Sequence, residues 1–194
     1  MKNHPKKNKV NSSDIYQLKI VLTDSHPPIW RRLVVPGSIR LSQLHHVFQE
    51  TMGWTDSHLH DFLIEKKRYS APDPEFDSVP VYSEYTHRLS DVAPKKGMTF
   101  SYDYDPGDGW EHKVLVENIS PAVKKLNHPM CLDGERACPP EDCGGMGGYE
   151  ELLETLKGPD NEERRELENW LGEDFDPETF SLTETNKILA KMRL

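Results

Sequence analysis

Met98-Thr-Phe-Ser-Tyr-Asp-Tyr104, Asp105-Pro-Gly-Asp-Gly109, Trp110-Glu-His-Lys-Val-Leu-Val116 is the stretch on which the fold turns. Phe100, Tyr102 and Tyr104 alternate with polar residues, as do Trp110, His112, Val114 and Val116, and a Pro/Gly/Asp turn separates the two runs. A period of two puts each set on one face of a strand, so the segment reads as a β-hairpin with a single buried face. Six aromatic or aliphatic side chains at such spacing anchor a sheet.

Upstream, Ile15-Tyr-Gln-Leu-Lys-Ile-Val-Leu22 repeats the alternation, with Tyr16, Leu18, Ile20 and Leu22 on one face. Ile29-Trp-Arg-Arg-Leu-Val-Val35 follows a short turn, and the two are expected to pair antiparallel. The period then becomes helical. Leu41, Leu44, Phe48 and Met52 form a stripe widened by Val47, with Ser42 as the expected cap and Gly53 as the stop. Within His58–Ile64, His60, Phe62 and Ile64 share one strand face while Leu59 and Leu63 share the other. That pattern predicts a central strand covered on both sides, with His58 and His60 pointing the same way. Residues 66–97 carry Pro72, Pro74, Pro80 and Pro94 and read as an irregular, mobile insertion. Downstream, Tyr149, Leu152, Leu153 and Leu156 mark a helix closed by Gly158-Pro159. Asp160 with Glu163 opens a second helix carrying Leu167, Trp170 and Leu171, and Ile188, Leu189 and Met192 mark a last one. The class is therefore α+β: an N-terminal antiparallel β-rich half with one helix packed on the sheet, and a C-terminal helical half.

Composition bounds the function. At 194 residues the chain fits one domain over 14–194, preceded by a disordered basic tail over 1–13 that carries Lys2, Lys6, Lys7 and Lys9 and no acid. The formal charge of −9 is thus concentrated, and exceeded, in the body. An acidic body repels phosphate backbones, so direct nucleic-acid binding is not expected. No apolar run reaches the ~20 residues of a membrane span, and the basic start lacks an apolar core after it, so neither a membrane segment nor a secretory signal is expected. Three cysteines, an odd number, with no secretory signal point to a reducing, cytoplasmic setting rather than to disulfides.

All three thiols fall in one Cys/Pro/Gly loop at about 128–148: Cys131-Leu-Asp-Gly-Glu-Arg-Ala-Cys138-Pro-Pro-Glu-Asp-Cys143-Gly-Gly. Cys138 and Cys143 are separated by four intervening residues, at the upper end of zinc-loop spacing, and the prolines lower the entropy lost on closing a chelate. The candidate metal set is Cys131, Cys138 and Cys143 with His112, His128 or water in the fourth place. The bland alternative is a packing role; a thiol nucleophile is disfavoured because Arg136 alone lies near to lower its pKa. His45, His46, His58, His60 and His112 are a second source of ligands, weighed against ordinary solvated or backbone-bonded histidines. The acidic run Asp103, Asp105, Asp108 and Glu111 is what a tight turn needs and misses the EF-hand pattern. Trp54, His58, His60, Tyr104 and Trp110 are the candidate lining of a ligand pocket, with Trp30 and Tyr102 beside them; core packing of a small sheet is the competing reading. There is no phosphate loop, nucleophile elbow or His-Glu-x-x-His motif.

The motifs recur as a set. Pro27-Pro-Ile-Trp-Arg-Arg-Leu-Val-Val-Pro36, Leu44-His45, Met52-Gly-Trp54, His58-Leu-His-x-Phe62, Tyr104 through Trp110-x-His112, and Cys138-Pro-Pro-Glu-Asp-Cys143-Gly-Gly-x-x-Gly-Tyr149 together resemble the plasmid pRiA4b ORF-3-like family, from about residue 14 onward. That resemblance implies a single α+β domain in microbial cytoplasm. Family members are often labelled insertion-element passengers, which implies a link to mobile DNA by gene neighbourhood and carries no mechanism. The leading expectation is a non-catalytic interaction module for an unknown protein partner, its Cys loop closed by zinc. The rival is a metal-dependent hydrolase with His58, His60 and His112 as ligands and Asp103 or Asp108 as base. A third is a small-ligand binder floored by Trp54 and Trp110.

Overall fold

A computed structural model describes residues 11, 13–73, 79–172 and 175–194. The basic tail expected over 1–13 therefore lies outside the described residues, apart from Asn11 and Ser13.

The alternating segments form strands as read. β1 (Ile15–Leu22) pairs antiparallel with β2 (Trp30–Pro36), and β6 (Thr99–Tyr104) pairs antiparallel with β7 (Trp110–Ser120). β7 runs on past the hairpin to pair with the whole of β1, which joins the two hairpins into one sheet. β3 (His60–Ile64) extends it through β6, followed outward by β4 (Lys67–Ser70) and β5 (Val81–Ser83). At the other edge β2 is flanked by β8 (Met130–Glu135). The order is β5-β4-β3-β6-β7-β1-β2-β8, antiparallel throughout except for the parallel β4–β5 pair.

α1 (Leu41–Met52) covers one face. Leu41, Leu44, Val47, Phe48 and Met52 meet Leu18, Ile20, Leu33, Phe62, Tyr102 and Val114 in one buried core, with the Phe48 ring 5.1 Å from Tyr102 and 6.2 Å from Phe62. Each fully buried side chain of this size contributes about 1.5–3 kcal/mol of transfer free energy, so the helix is held by its stripe rather than by propensity. Gly53 ends it at φ 92°, the left-handed stop its position called for. The expected Ser42 cap is displaced: Arg40 is the N-cap residue, and its backbone N–H donates to Gln43 Oε1 at 3.1 Å.

The opposite face is open and polar. Arg32 Nε donates to Glu117 Oε2 at 2.7 Å, Gln17 Nε2 donates to the same oxygen at 2.7 Å, and Lys19 lies 4.2 Å over the Trp30 ring. β3 is consequently not covered on both sides, because Leu59 and Leu63 are 77% and 45% exposed. Nor is 66–97 wholly irregular: it contains β4, β5 and the short α2 (Leu89–Val92), while 74–78 lie outside the described residues.

Three helices follow: α3 (Gly145–Lys157), α4 (Glu162–Leu171) and α5 (Leu182–Leu189). Asn161, not Asp160, caps α4, accepting the Arg164 N–H at 2.9 Å. α5 seals the β8 edge. Asn186 Oδ1 accepts the Cys131 N–H at 2.9 Å and its Nδ2 donates to the Cys131 carbonyl at 2.8 Å. No described helix is long and apolar enough to cross a membrane.

Candidate functional site

The sequence-derived candidates gather around the end of α1, the hairpin turn and the Cys loop, although not in the groups the sequence proposed. The three thiols do not converge. β8 turns Cys131 inward, its Sγ donating to the Asp133 carbonyl at 3.3 Å. Cys138 sits in the core, 3.1 Å from Met52 Sδ and 3.6 Å from Arg31 Nη2. Cys143 lies on the rim, beside its own loop backbone. Burial pushes the Cys138 thiol up to about 11; burial, then Asp108 and Asp142, pushes Cys143 up to about 12. Burial raises the Cys131 thiol as well, so none of the three is primed as a thiolate nucleophile. His112 is buried, its Nδ1 donating to the Tyr102 carbonyl at 3.0 Å and its Nε2 unpartnered, and burial lowers its pKa to about 4. A strand, a buried loop segment and a rim thus hold the four proposed ligands apart.

The proposed aromatic pocket is filled by its own walls. Trp54, Tyr104 and Trp110 are buried, with Trp54 stacked 5.1 Å from Tyr104 and 5.9 Å from Trp110. Trp54 Nε1 donates to the Pro139 carbonyl at 3.0 Å, so the stack becomes the floor on which the Cys loop lies. Asp103, the rival's proposed base, is on the other side of the sheet, as alternation with Tyr102 and Tyr104 demands. There it lines up across strands with Asp61 and Glu111, and burial, with these two neighbours, raises its pKa to about 6. Asp108 Oδ2 accepts the Gly144 N–H at 3.2 Å, which ties the turn to the loop.

Two groups of metal-capable side chains do come together among the described residues. The first is His45 with Asp56 and His60. Gln49 Nε2 donates to the Tyr102 hydroxyl at 2.9 Å, Tyr102 in turn donates to His45 Nδ1 at 2.7 Å, and His45 Nε2–H donates to Asp56 Oδ1 at 2.6 Å. Gln49 Oε1 closes the circuit by accepting the Asp56 N–H at 3.0 Å. His60 Nε2 donates to Glu84 Oε2 at 2.7 Å. Both Nε2 atoms therefore carry protons. The rings also stack at 3.4 Å, 3° from parallel, and lone pairs lying in parallel planes do not meet at one ion. This group is a satisfied hydrogen-bond network within the core.

The second group is different. His58 is drawn from the segment just before β3, so it does not share a strand face with His60. Its Nδ1 lies 3.7 Å from Asp105 Oδ1 on the hairpin turn and its Nε2 lies 3.3 Å from Asp142 Oδ1 on the Cys loop. Nε2 is buried and makes no hydrogen bond. Asp105 and Asp142 stand at φ 54° and 60°, left-handed conformations that aspartate tolerates and that aim both carboxylates at the imidazole. Around them, Glu141 accepts from the Tyr104 hydroxyl and from the Thr55 N–H. The turn and the loop thus bring Asp105 and Asp142 to a single histidine, with Asp108 and Glu141 on the same two segments, a concentration of acid that favours a cation. Asp142, Asp56 and Glu84 were missed as partners in the sequence because no spacing links them to their histidines; only the Pro-Pro-Glu-Asp run hinted that acids cluster there.

The family model for plasmid pRiA4b ORF-3-like proteins matches residues 14–184. The uncharacterized protein y4hQ of Sinorhizobium fredii is 40% identical over 178 residues, 91% of each chain. The crystal structure of a protein of unknown function from Methanosarcina mazei superposes with a TM-score of 0.79 at 38% identity, covering 90% of this chain and 98% of that one. Fold, motif order and likeness to these relatives agree, and the chain belongs to the plasmid pRiA4b ORF-3-like protein family.

Proposed function

We propose that this chain is a non-catalytic interaction module whose Cys/Pro/Gly loop is clasped to the hairpin turn by a divalent cation, zinc in the first instance, held by His58, Asp105 and Asp142. The observation that carries this is the His58 imidazole between two carboxylates from separate segments, with a buried Nε2 that no hydrogen bond uses. One imidazole and two carboxylates form an N/O donor set suited to zinc or manganese rather than to soft-ligand ions. The clasp also answers an energetic need, since the acids on turn and loop repel each other unless a cation joins them. The module reading rests on the absence of any assembled catalytic set among the described residues.

Calorimetric titration of chelator-stripped protein with Zn²⁺ and with Mn²⁺ tests it. One equivalent is expected to bind and to raise the melting temperature, by an amount equivalent to about 2.7 kcal/mol at a hundred-fold excess over Kd. His58→Ala and Asp142→Asn abolish the effect, while Cys131→Ser and Cys138→Ser leave the stoichiometry unchanged. Binding that survives His58→Ala sinks the proposal.

One observation favours the hydrolase instead. Asp142 is 75% exposed, so an ion beside it would keep solvent-facing positions, as catalytic ions do. Turnover of a phosphate monoester or a dipeptide amide by zinc-loaded protein, lost in His58→Ala, would establish that reading.

A further inference from the structure

α4 has no buried residue, although it carries an amphipathic stripe of Leu167, Trp170 and Leu171. Its Trp170 is 54% exposed, the most exposed tryptophan among the described residues. The indole is the common wall of two depressions. One, of about 200 Å³, is lined by Met52, Pro139, Pro140, Leu171 and Phe175, and none of the described residues lining it is charged. The other, of about 330 Å³, is lined by Leu152 and Leu167 with Asp142, Glu151 and Glu163, and every charge on it is acidic. Together they form one groove along α4, apolar at one end and anionic at the other.

We propose that this groove binds an extended segment of a partner protein in which an apolar anchor stands close in sequence to lysine or arginine. The anchor enters the Met52–Pro139–Phe175 compartment, and the cation reaches Glu151 and Glu163 past the indole, which can also stack on an arginine. Trp170 is suited to the role because a large, rigid aromatic gives much contact area at small entropic cost, and such residues dominate binding energies at interfaces. A second copy of this chain is a poor occupant: bringing the same face together sets Asp142, Glu151 and Glu163 against their own copies. The inference deepens the interaction-module reading by naming the partner's chemistry. It does not require the ion, since Glu151 and Glu163 are free of it.

The test is to pan a phage library of random dodecapeptides against the full chain, with and without chelator, and to synthesise the best binder. Enriched peptides should pair an apolar residue with Lys or Arg, bind more weakly as salt rises, and lose at least tenfold in affinity with Trp170→Ala and with Glu151→Gln/Glu163→Gln. The latter two residues are exposed, so that variant keeps its fold and guards against a Trp170→Ala protein that is merely unstable. No enrichment, enrichment of acidic peptides, or affinity indifferent to both variants overturns the groove. So does a dimer in light scattering that Trp170→Ala disperses, which would make a second copy the occupant. Binding with chelator present but no zinc uptake would retain the groove and discard the ion; zinc uptake without peptide binding would do the reverse.

Discussion

The imidazoles of His45 and His60 lie face to face, 3.4 Å between centroids and 3° from parallel, each bonded to its own carboxylate, Asp56 and Glu84. Two rings in that position tolerate a second positive charge poorly, and the burial of His45 adds to the cost. Burial first, then the neighbouring His60, lowers the pKa of His45 to about 4, against the pull of Asp56.

Acid sensitivity follows. His45 and His112 both fall to about 4 in the folded chain from an ordinary 6.5, so the unfolded chain takes up protons first as pH drops. Their contribution is complete above pH 6.5 and is lost on the way down to 4. Asp103, raised to about 6, opposes this below pH 6, but one group against two does not reverse the sign. Urea midpoints should fall between pH 7 and pH 5, and His112→Leu should shrink that fall. A midpoint that is flat over this range counts against the buried neutral histidines.

Trp110 is fully buried and closes one end of the Tyr104–Trp54–Trp110 stack on which the Cys loop rests. Trp110→Ala should cost about 3–5 kcal/mol in chemical denaturation, as large-to-small core changes do. A loss below ~1 kcal/mol would mean the stack is not the platform described.

Two glycines bring the loop against its neighbours. A Cβ on Gly145, at φ 69°, would collide with the Asp108 carbonyl, and one on Gly148 with the Cys143 carbonyl. Gly145→Ala and Gly148→Ala should each lower the melting temperature markedly and loosen the His58 surroundings, seen as a shift of the His58 ring resonances. Gly147→Ala, with open space around it in α3, should be neutral or stabilising by about 0.5–1 kcal/mol. Equal effects at all three positions would contradict the packing.

Asn186 holds both main-chain groups of Cys131 on the free edge of β8. Asn186→Ala leaves them unpaired at about 1–3 kcal/mol and uncovers an edge that invites strand pairing between chains. Denaturation together with light scattering at raised concentration checks both halves; Asn186→Asp, which keeps the acceptor but loses the donor, should fall between the two.

Much of the architecture could be read directly from residue order. The alternation of Phe100, Tyr102 and Tyr104 against Trp110, His112 and Val114 placed the central hairpin, and the Leu41–Met52 stripe with Gly53 placed the helix and its end. β8 escaped because Met-Cys-Leu-Asp-Gly-Glu lacks a clean alternation, and its pairing with β2 comes from residues about a hundred positions away. The thiols misled for a related reason: closeness along the chain says little about convergence when one cysteine is on a strand, one in the core and one on a rim.

Sequence by itself determined the α+β class, the family and the apolar faces, because hydrophobic period is a local property that each segment carries alone. Tertiary structure decided the company of the histidines. His58 meets Asp105 and Asp142 only because the sheet sets the hairpin turn beside the helix end and the Trp54 stack gives the Cys loop a floor. Side-chain chemistry is fixed by the partners a residue meets, and those partners are brought together by packing across the whole chain.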